Sequence, residues 1–289
     1  MLAAFAFEQM PMTHVLVIQH PRPDTLDLSA LPAGLPAPVR HRQNTLRFAV
    51  AADFRLPENA VLALQAQEAD VGVLPDMAFA DLGLIVSDMD STLITIECVD
   101  EIAAGVGLKE QVAAITEQSM RGELDFEQSL RRRVALLKGL PESELQRVYD
   151  EVLQLTPGAE TLLAECRAHG VKFMLVSGGF TFFTERLRQR LGFEYGFANE
   201  LVSHNGRLSG ELSGRLIDAQ TKADLLAEYR DRLGLRREQT LAMGDGANDI
   251  PMLQAAGFGV AFRAKPKAEA AADVRIRFGG LEAVRGWFR

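Results

Sequence analysis

Only two cysteines, Cys98 and Cys166, occur among the 289 residues, and they form no CxxC pair. Two thiols in so long a chain make no disulfide framework, so free thiols in a reducing compartment are expected. No apolar run approaches the ~20 residues that cross a bilayer. The opening stretch MLAAFAFEQMPMTHVLVIQH has no basic leading segment and no cleavage-site pattern, so it does not read as a secretory leader. These absences predict a cytoplasmic protein with no membrane partner. Positive charge is also short. Lys and Arg number 31 against 39 Asp and Glu, for a net charge of −8, which argues against nucleic acid as a main partner. A small anionic substrate stays open, because a metal and a few local cations can reverse the field inside one cleft.

What is present is an ordinary globular composition, 47% hydrophobic and 24% charged, long enough for two domains or one domain with an insertion. Residues 1–82 read as a small α+β unit. Strands are expected at 14–18, 47–50 and 70–74, a helix at 58–69, and a proline-rich loop between the first two strands. His14, His20 and His41 lack ligand spacing, so the unit is expected to be structural or regulatory. From Gly83 onward, short apolar segments at 84–87, 172–176, 240–243 and 257–262 alternate with helical stretches at 158–169, 181–191, 221–233 and 248–256. That alternation predicts a parallel α/β sheet of Rossmann-like type. Residues 199–216, with His204-Asn205-Gly206 in the middle, read as a β-hairpin. Over 80 residues separate the first two core strands, far more than a crossover needs. Their apolar residues fall at helix spacing, so 96–155 is expected to be a helical cap inserted between two parts of the core, 83–95 and 156–289.

Ligands of open parallel sheets bind at the carboxyl ends of the strands. Here the first core strand runs into Asp88-Met89-Asp90-Ser91-Thr92, the second into Ser177-Gly178-Gly179, and the third into Gly244-Asp245-Gly246-Ala247-Asn248-Asp249. If these strands are neighbours, four carboxylates, a hydroxyl and glycine-flanked amides converge. Clustered carboxylates suit a hard cation, and Mg2+ typically uses few of them, with phosphate and water completing its shell. Asp88 and Asp245 are the expected ligands, with a backbone carbonyl from Asp90 and Asp249 supporting them from behind. Ser177 and the amides of Gly178 and Gly179, at a strand-to-helix turn, suit a phosphate. Asp88 can attack phosphorus to form an aspartyl-phosphate, while Asp90 protonates the leaving oxygen and then takes a proton from water. A bare DxD is also what a calcium-binding or capping cluster looks like. The ordered set is far more specific.

This set, with Lys222 between its second and last motifs, resembles the haloacid-dehalogenase-like phosphatase superfamily. The resemblance implies a Rossmann-like core with magnesium, Asp88 as nucleophile, Asp90 as acid/base, Ser177 and Lys222 as phosphate ligands, and Asp245 as metal ligand. Within the superfamily, Glu97 in DSTLITIECVDEIA and the cap stretch 120–134, MRGELDFEQSLRRRV, are similar to the phosphoserine phosphatase family. That likeness implies that Arg133 grips a substrate carboxylate, Glu97 meets its ammonium group, Met120 and Phe126 form an apolar lid, and Asn248 touches substrate. Without it, Arg131 to Arg133 would read as a solvated basic face. The resemblance covers about 83–289 and leaves 1–82 unmatched.

The expected activity is therefore magnesium-dependent hydrolysis of O-phosphoserine, the last step of a route to serine, by a monomer or homodimer. The alternatives are a related phosphatase or phosphotransferase acting on another small phosphorylated amino acid or alcohol, and a phosphate-ester sensor, against which the intact Asp88 and Asp90 argue.

Overall fold

A computed structural model describes residues 14–121 and 123–289; the side chain of Met120 lies outside the described part, as do residues 1–13. Both the expected apolar-lid role of Met120 and the reading of the extreme N-terminus fall there.

The N-terminal unit contains β1 (His14–Gln19), β2 (Val39–His41), β3 (Thr45–Val50), α1 (Glu58–Gln65) and β4 (Asp70–Pro75). The strands form an antiparallel sheet in the order β2-β3-β1-β4. Leu16, Ile18, Phe48 and Leu64 close its own small core. The expected helix stops at Gln65, and Glu68 adopts a left-handed conformation (φ 58°) on the way into β4. The short β2 was not anticipated, since three exposed or half-exposed residues carry little periodic signal.

This unit is bonded to the end of the chain. Phe79 N–H donates to Arg289 O at 3.0 Å and Arg289 N–H to Met77 O at 2.9 Å. The Asp70 carboxylate accepts from the N–H groups of Arg277, Phe278 and Gly279. Trp287 is fully buried, and a Cβ at Gly72 of β4 would meet Val274 Cγ1 at 2.8 Å and the Trp287 ring at 3.1 Å.

The core begins with β5 (Leu84–Ser87). The inserted helices follow: α2 (Cys98–Gly105), α3 (Lys109–Met120), α4 (Phe126–Ala135) and α5 (Ser143–Arg147), the last running on as a wider turn through Val152. Then come α6 (Ala159–His169), β6 (Lys172–Phe180), α7 (Thr181–Leu191), β7 (Tyr195–His204), β8 (Arg207–Ser213), α8 (Ala219–Arg232), β9 (Thr240–Gly244), α9 (Ile250–Ala255), β10 (Phe258–Phe262), α10 (Pro266–Ala271), β11 (Val274–Ile276) and α11 (Ala283–Gly286). Seven strands make one sheet in the order β11-β10-β9-β5-β6-β7-β8, parallel except for β8. The sheet has three strands beyond the four expected. Two of them are the hairpin, which extends the sheet instead of standing apart, and its Asn205-Gly206 turn is left-handed at both positions (φ 51° and 73°), the geometry that suits the right-handed twist of the strands. The third, β11, has only three residues.

The fully buried β5 lies at the centre, with β9 and β6 on either side. The three strands whose ends carry the motifs are therefore adjacent. β6 runs further than expected. Ser177, Gly178 and Gly179 belong to its irregular last stretch, where the pairing with β7 slips between Val176 and Phe180, and α7 begins only at Thr181.

The inserted helices leave and rejoin the core through a narrow neck. Thr95 N–H donates to Gln154 O and Thr156 N–H to Leu93 O, both at 3.0 Å. A second attachment joins the α4–α5 connection to the hairpin. Gly139 N–H donates to Leu208 O and Leu208 N–H to Leu140 O, each at 2.8 Å, and Glu142 N–H donates to Gly206 O at 3.0 Å.

Candidate active site

Asp88 leaves the end of β5 with its own N–H bonded to Met243 O of the neighbouring β9. Its carboxylate is almost fully buried. Oδ1 accepts from Met89 N–H at 2.7 Å, and Oδ2 stands 2.8 Å from Lys222 Nζ and 3.3 Å from Asn248 Nδ2. Lys222, itself 1% exposed, reaches Asp249 Oδ1 at 2.7 Å as well. A buried ammonium thus bridges two buried carboxylates from different strand ends, which is how a buried charge becomes tolerable. Burial works against the Lys222 charge, but Asp88 and Asp249 outweigh it and hold its pKa above the ordinary lysine value. Burial, and next the charge of Asp249, raise Asp88 well above the usual carboxylate range.

Two glycines are required by close approach. A side chain at Gly244 would meet the Asp249 carboxyl carbon at 2.4 Å, and one at Gly179 would meet Met89 Cε at 2.9 Å and Ser177 Oγ at 3.1 Å. The glycines of the second and third motifs therefore make room for the acids and the hydroxyl.

Asp88, Asp245 and Asp249 each place a carboxylate oxygen within 4.8 Å of the others, all three residues being buried. Asp249, expected behind the ligands, belongs to this group and also pairs with Lys222. Burial and the charge of Asp249 push Asp245 up to about 6, as expected of acids crowded together without enough positive charge. Five carboxylates (Asp88, Asp90, Glu97, Asp245 and Asp249) meet three cations (Lys222, Lys265 and Arg133) around the cavity. A divalent cation would cancel that excess, and the all-oxygen donor set fits magnesium.

Asp90 Oδ2 accepts from Cys98 N–H at 3.3 Å, while Oδ1 is buried with no partner. Burial, then the negative charge of Glu97, push Asp90 up to about 7. Two aspartates two residues apart thus have different surroundings, the arrangement that separates a nucleophile from an acid/base. Glu97 is exposed and accepts from Ser91 Oγ at 2.7 Å. Ser177 is 1% exposed, and its Oγ accepts from Gly179 N–H at 2.8 Å.

Asp88, Asp90, Glu97, Ser177, Asp245 and Asn248 line a cavity of about 200 Å³. Its far wall is α4, whose start is set by a capping box: Asp125 accepts from Gln128 N–H at 2.8 Å, and Gln128 Oε1 accepts from Asp125 N–H. From that start, Phe126, Leu130 and Arg133 fall at i, i+4 and i+7 on one face, and all three line the cavity. Phe126 stands over Gly178, its Cζ 3.4 Å from where a Cβ would be. Arg131 points away to an exposed pair with Glu127, and Arg132 is exposed. Arg133 Nε is buried without a partner, and burial lowers its pKa while Asp100, Glu97 and Asp90 pull the other way.

The structure therefore brings together every residue singled out from the motifs and whose side chain is described. Lys265, with Nζ 3.9 Å from Asp245 Oδ2, and Val99 also line the cavity and were missed. Lys265 follows β10, the next strand end along the same sheet edge, so applying the strand-end rule once more would have found it.

Residues 85–254 match the haloacid dehalogenase-like hydrolase family. The chain belongs to that family. Among the relatives of this hydrolase, a phosphoserine phosphatase from Albidiferax ferrireducens is 48% identical over 223 residues, 75% of this chain and 94% of that protein. One from Vibrio cholerae is 47% identical over 227 residues, 78% of this chain and 68% of that protein. Among solved structures, a family hydrolase from Salmonella enterica serovar Typhi superposes with a TM-score of 0.84 at 32% identity, covering 96% of this chain and 99% of that one. A probable phosphoserine phosphatase from Vibrio cholerae, in unliganded form, gives 0.81 at 38% identity, covering 96% and 86%. The last two likenesses extend through the N-terminal unit, which the motifs alone left unmatched.

Proposed function

We propose that this hydrolase is a phosphoserine phosphatase, which cleaves O-phosphoserine to serine and phosphate with the help of magnesium. The observation that carries the reading is the placing of Arg133. Of three consecutive arginines it alone turns into the cavity, with an unpartnered buried nitrogen, across from Asp88 and Ser177. Phosphoserine has two anionic ends and one cationic group. A guanidinium for the carboxylate, Glu97 for the ammonium, and Ser177 with the neighbouring amides for the phosphate would read all three. The names of the relatives agree with this assignment.

Asp88, Asp245 and Asp249 are the residues that would hold magnesium, which when bound supplies positive charge to the phosphoryl oxygens. The rest follows from the chain. Lys222, Asn248 and Met89 N–H orient the Asp88 carboxylate for attack on phosphorus. As the bond from Asp88 to phosphorus forms and the bond to the serine oxygen breaks, Asp90 passes its proton to that oxygen. A pKa near 7 leaves Asp90 protonated in a large share of molecules at neutral pH. Asp90 then takes a proton from the water that attacks the aspartyl-phosphate, which releases phosphate and restores Asp88. Phe126 and the other cap residues keep bulk water from the phosphoryl group. The reaction supplies free serine, and so would complete a route to that amino acid. The cap and the N-terminal unit are taken as modules of one monomeric or dimeric cytoplasmic enzyme.

Phosphate release from O-phosphoserine with magnesium tests the proposal. Wild-type protein should be active and Asp88→Asn inactive. Equal, background-level release from both would sink it.

A further inference from the structure

Asn199 lies on β7, paired with Phe180 at the end of β6, and is fully buried. Both ends of its side-chain amide are bonded to backbone. Nδ2 donates to Gly178 O, and Oδ1 accepts from Ile217 N–H, each at 2.9 Å. A carbonyl can only accept and a backbone N–H can only donate, so the two partners dictate which way the amide faces. The two segments it joins both belong to the site. Gly178 sits between Ser177 and Gly179, and Ile217 immediately precedes Asp218, the cap of α8.

A trans peptide holds its C=O and N–H in one plane, pointing in opposite directions. Asn199 takes the C=O of the peptide that joins Gly178 to Gly179. The N–H of that same peptide is thereby turned away from Asn199, and it donates to Ser177 Oγ at 2.8 Å. With Oγ accepting that bond, the hydroxyl proton of Ser177 is left to donate into the cavity. On the other arm, Ile217 is pinned one residue before Asp218, whose carboxylate caps α8 by accepting from Thr221 N–H at 2.7 Å. Lys222 follows at once and reaches Asp88. One buried side chain thus fixes the hydroxyl on one side of the phosphate position and the base of the ammonium-bearing helix on the other.

We infer that Asn199 is a positioning residue for phosphate recognition, orienting Ser177 through the Gly178–Gly179 peptide and setting the start of α8, without touching substrate. The inference rests on the phosphatase reading above.

Asn199→Asp tests it. The substitution keeps the size and the acceptor for Ile217 N–H, but sets an oxygen against Gly178 O. The measurements are kcat and KM for O-phosphoserine and the inhibition constant of inorganic phosphate, for wild type, Asn199→Asp, Ser177→Ala and the double variant. Losing one buried hydrogen bond predicts a rise of about tenfold in both KM and the phosphate inhibition constant. In the Ser177→Ala background the same change should raise them clearly less, because the hydroxyl to be oriented is gone. Should Asn199→Asp not fold, Asn199→Ser serves in its place, with the melting temperature recorded for each protein. A phosphate inhibition constant within about twofold of wild type, or an equal fold-change in both backgrounds, would overturn the inference. Wild-type protein that releases no phosphate would overturn the phosphatase reading instead, and calorimetric titration with inorganic phosphate would still decide on Asn199.

Discussion

Lys222 Nζ stands 2.8 Å from Asp88 Oδ2 in a site where both residues are buried. The pair is not self-sufficient, because the same ammonium also neutralises Asp249 at 2.7 Å. Removing Lys222 leaves two buried acids facing each other and Asp245. Lys222→Ala should lose activity and about 3–5 kcal/mol of stability, the usual cost of leaving buried charge unpaired. Magnesium would offset part of that repulsion. Its stabilising effect on the melting temperature, measured against excess chelator, should therefore be larger in Lys222→Ala than in wild type. An equal effect in both would show that the cation does not sit among these acids.

The proton on Asp90 predicts a pH dependence. Its pKa of about 7 comes from burial and then from Glu97. The acid form is needed to protonate the leaving oxygen, so kcat/KM should fall as pH rises through about 7. Glu97→Gln removes a negative neighbour and makes the Asp90 carboxylate easier to form, so the fall should move to lower pH. Initial rates of phosphate release across the neutral range decide it; an unmoved or upward-moved limb contradicts the electrostatic link.

Arg133 should act on the carboxylate end of substrate and nowhere else. Wild type is expected to prefer O-phosphoserine to O-phosphoethanolamine, which lacks the carboxylate. Arg133→Ala should lose about tenfold or more in kcat/KM for phosphoserine, as for loss of a charge-assisted bond, and little for phosphoethanolamine. Arg131→Ala, whose target pairs with Glu127 at the surface, should change neither. A parallel loss for both substrates in Arg133→Ala would assign that residue to the cap's packing.

The hairpin that braces the cap offers a mechanical test. Gly210 of β8 has φ 81°, and a Cβ there would come 2.9 Å from Lys138 Cβ and 3.3 Å from Ala135 O. Gly210→Ala carries a left-handed penalty of about 1–2 kcal/mol and pushes the hairpin from α4. It should lower the melting temperature and raise KM, because the cavity wall moves while Asp88 and Asp90 do not. A drop in kcat with KM unchanged would place the effect in the chemistry instead.

The sequence by itself determined which groups gather at the candidate site. Asp88, Asp90, Ser177, Asp245 and Asp249 were legible because each follows a short apolar strand, and parallel topology sends strand ends to one edge. The extent of the sheet was less legible. Three-residue strands such as β2 and β11 have no readable period, and the hairpin joins the sheet through pairing between residues far apart in the chain. Residue pattern alone did not choose among Arg131, Arg132 and Arg133; the likeness in 120–134 pointed to Arg133, and the tertiary structure supplies the reason, since facing the cavity depends on where the capping box starts α4 and on how α4 is set against β6. The tertiary structure alone made Lys222 the shared counter-charge of Asp88 and Asp249, because a buried lysine looks like a solvated one until its partners are known. It also gave Asn199 its part. No local pattern marks an asparagine on a strand, and its two partners, Gly178 and Ile217, come together only when β7 lies beside β6.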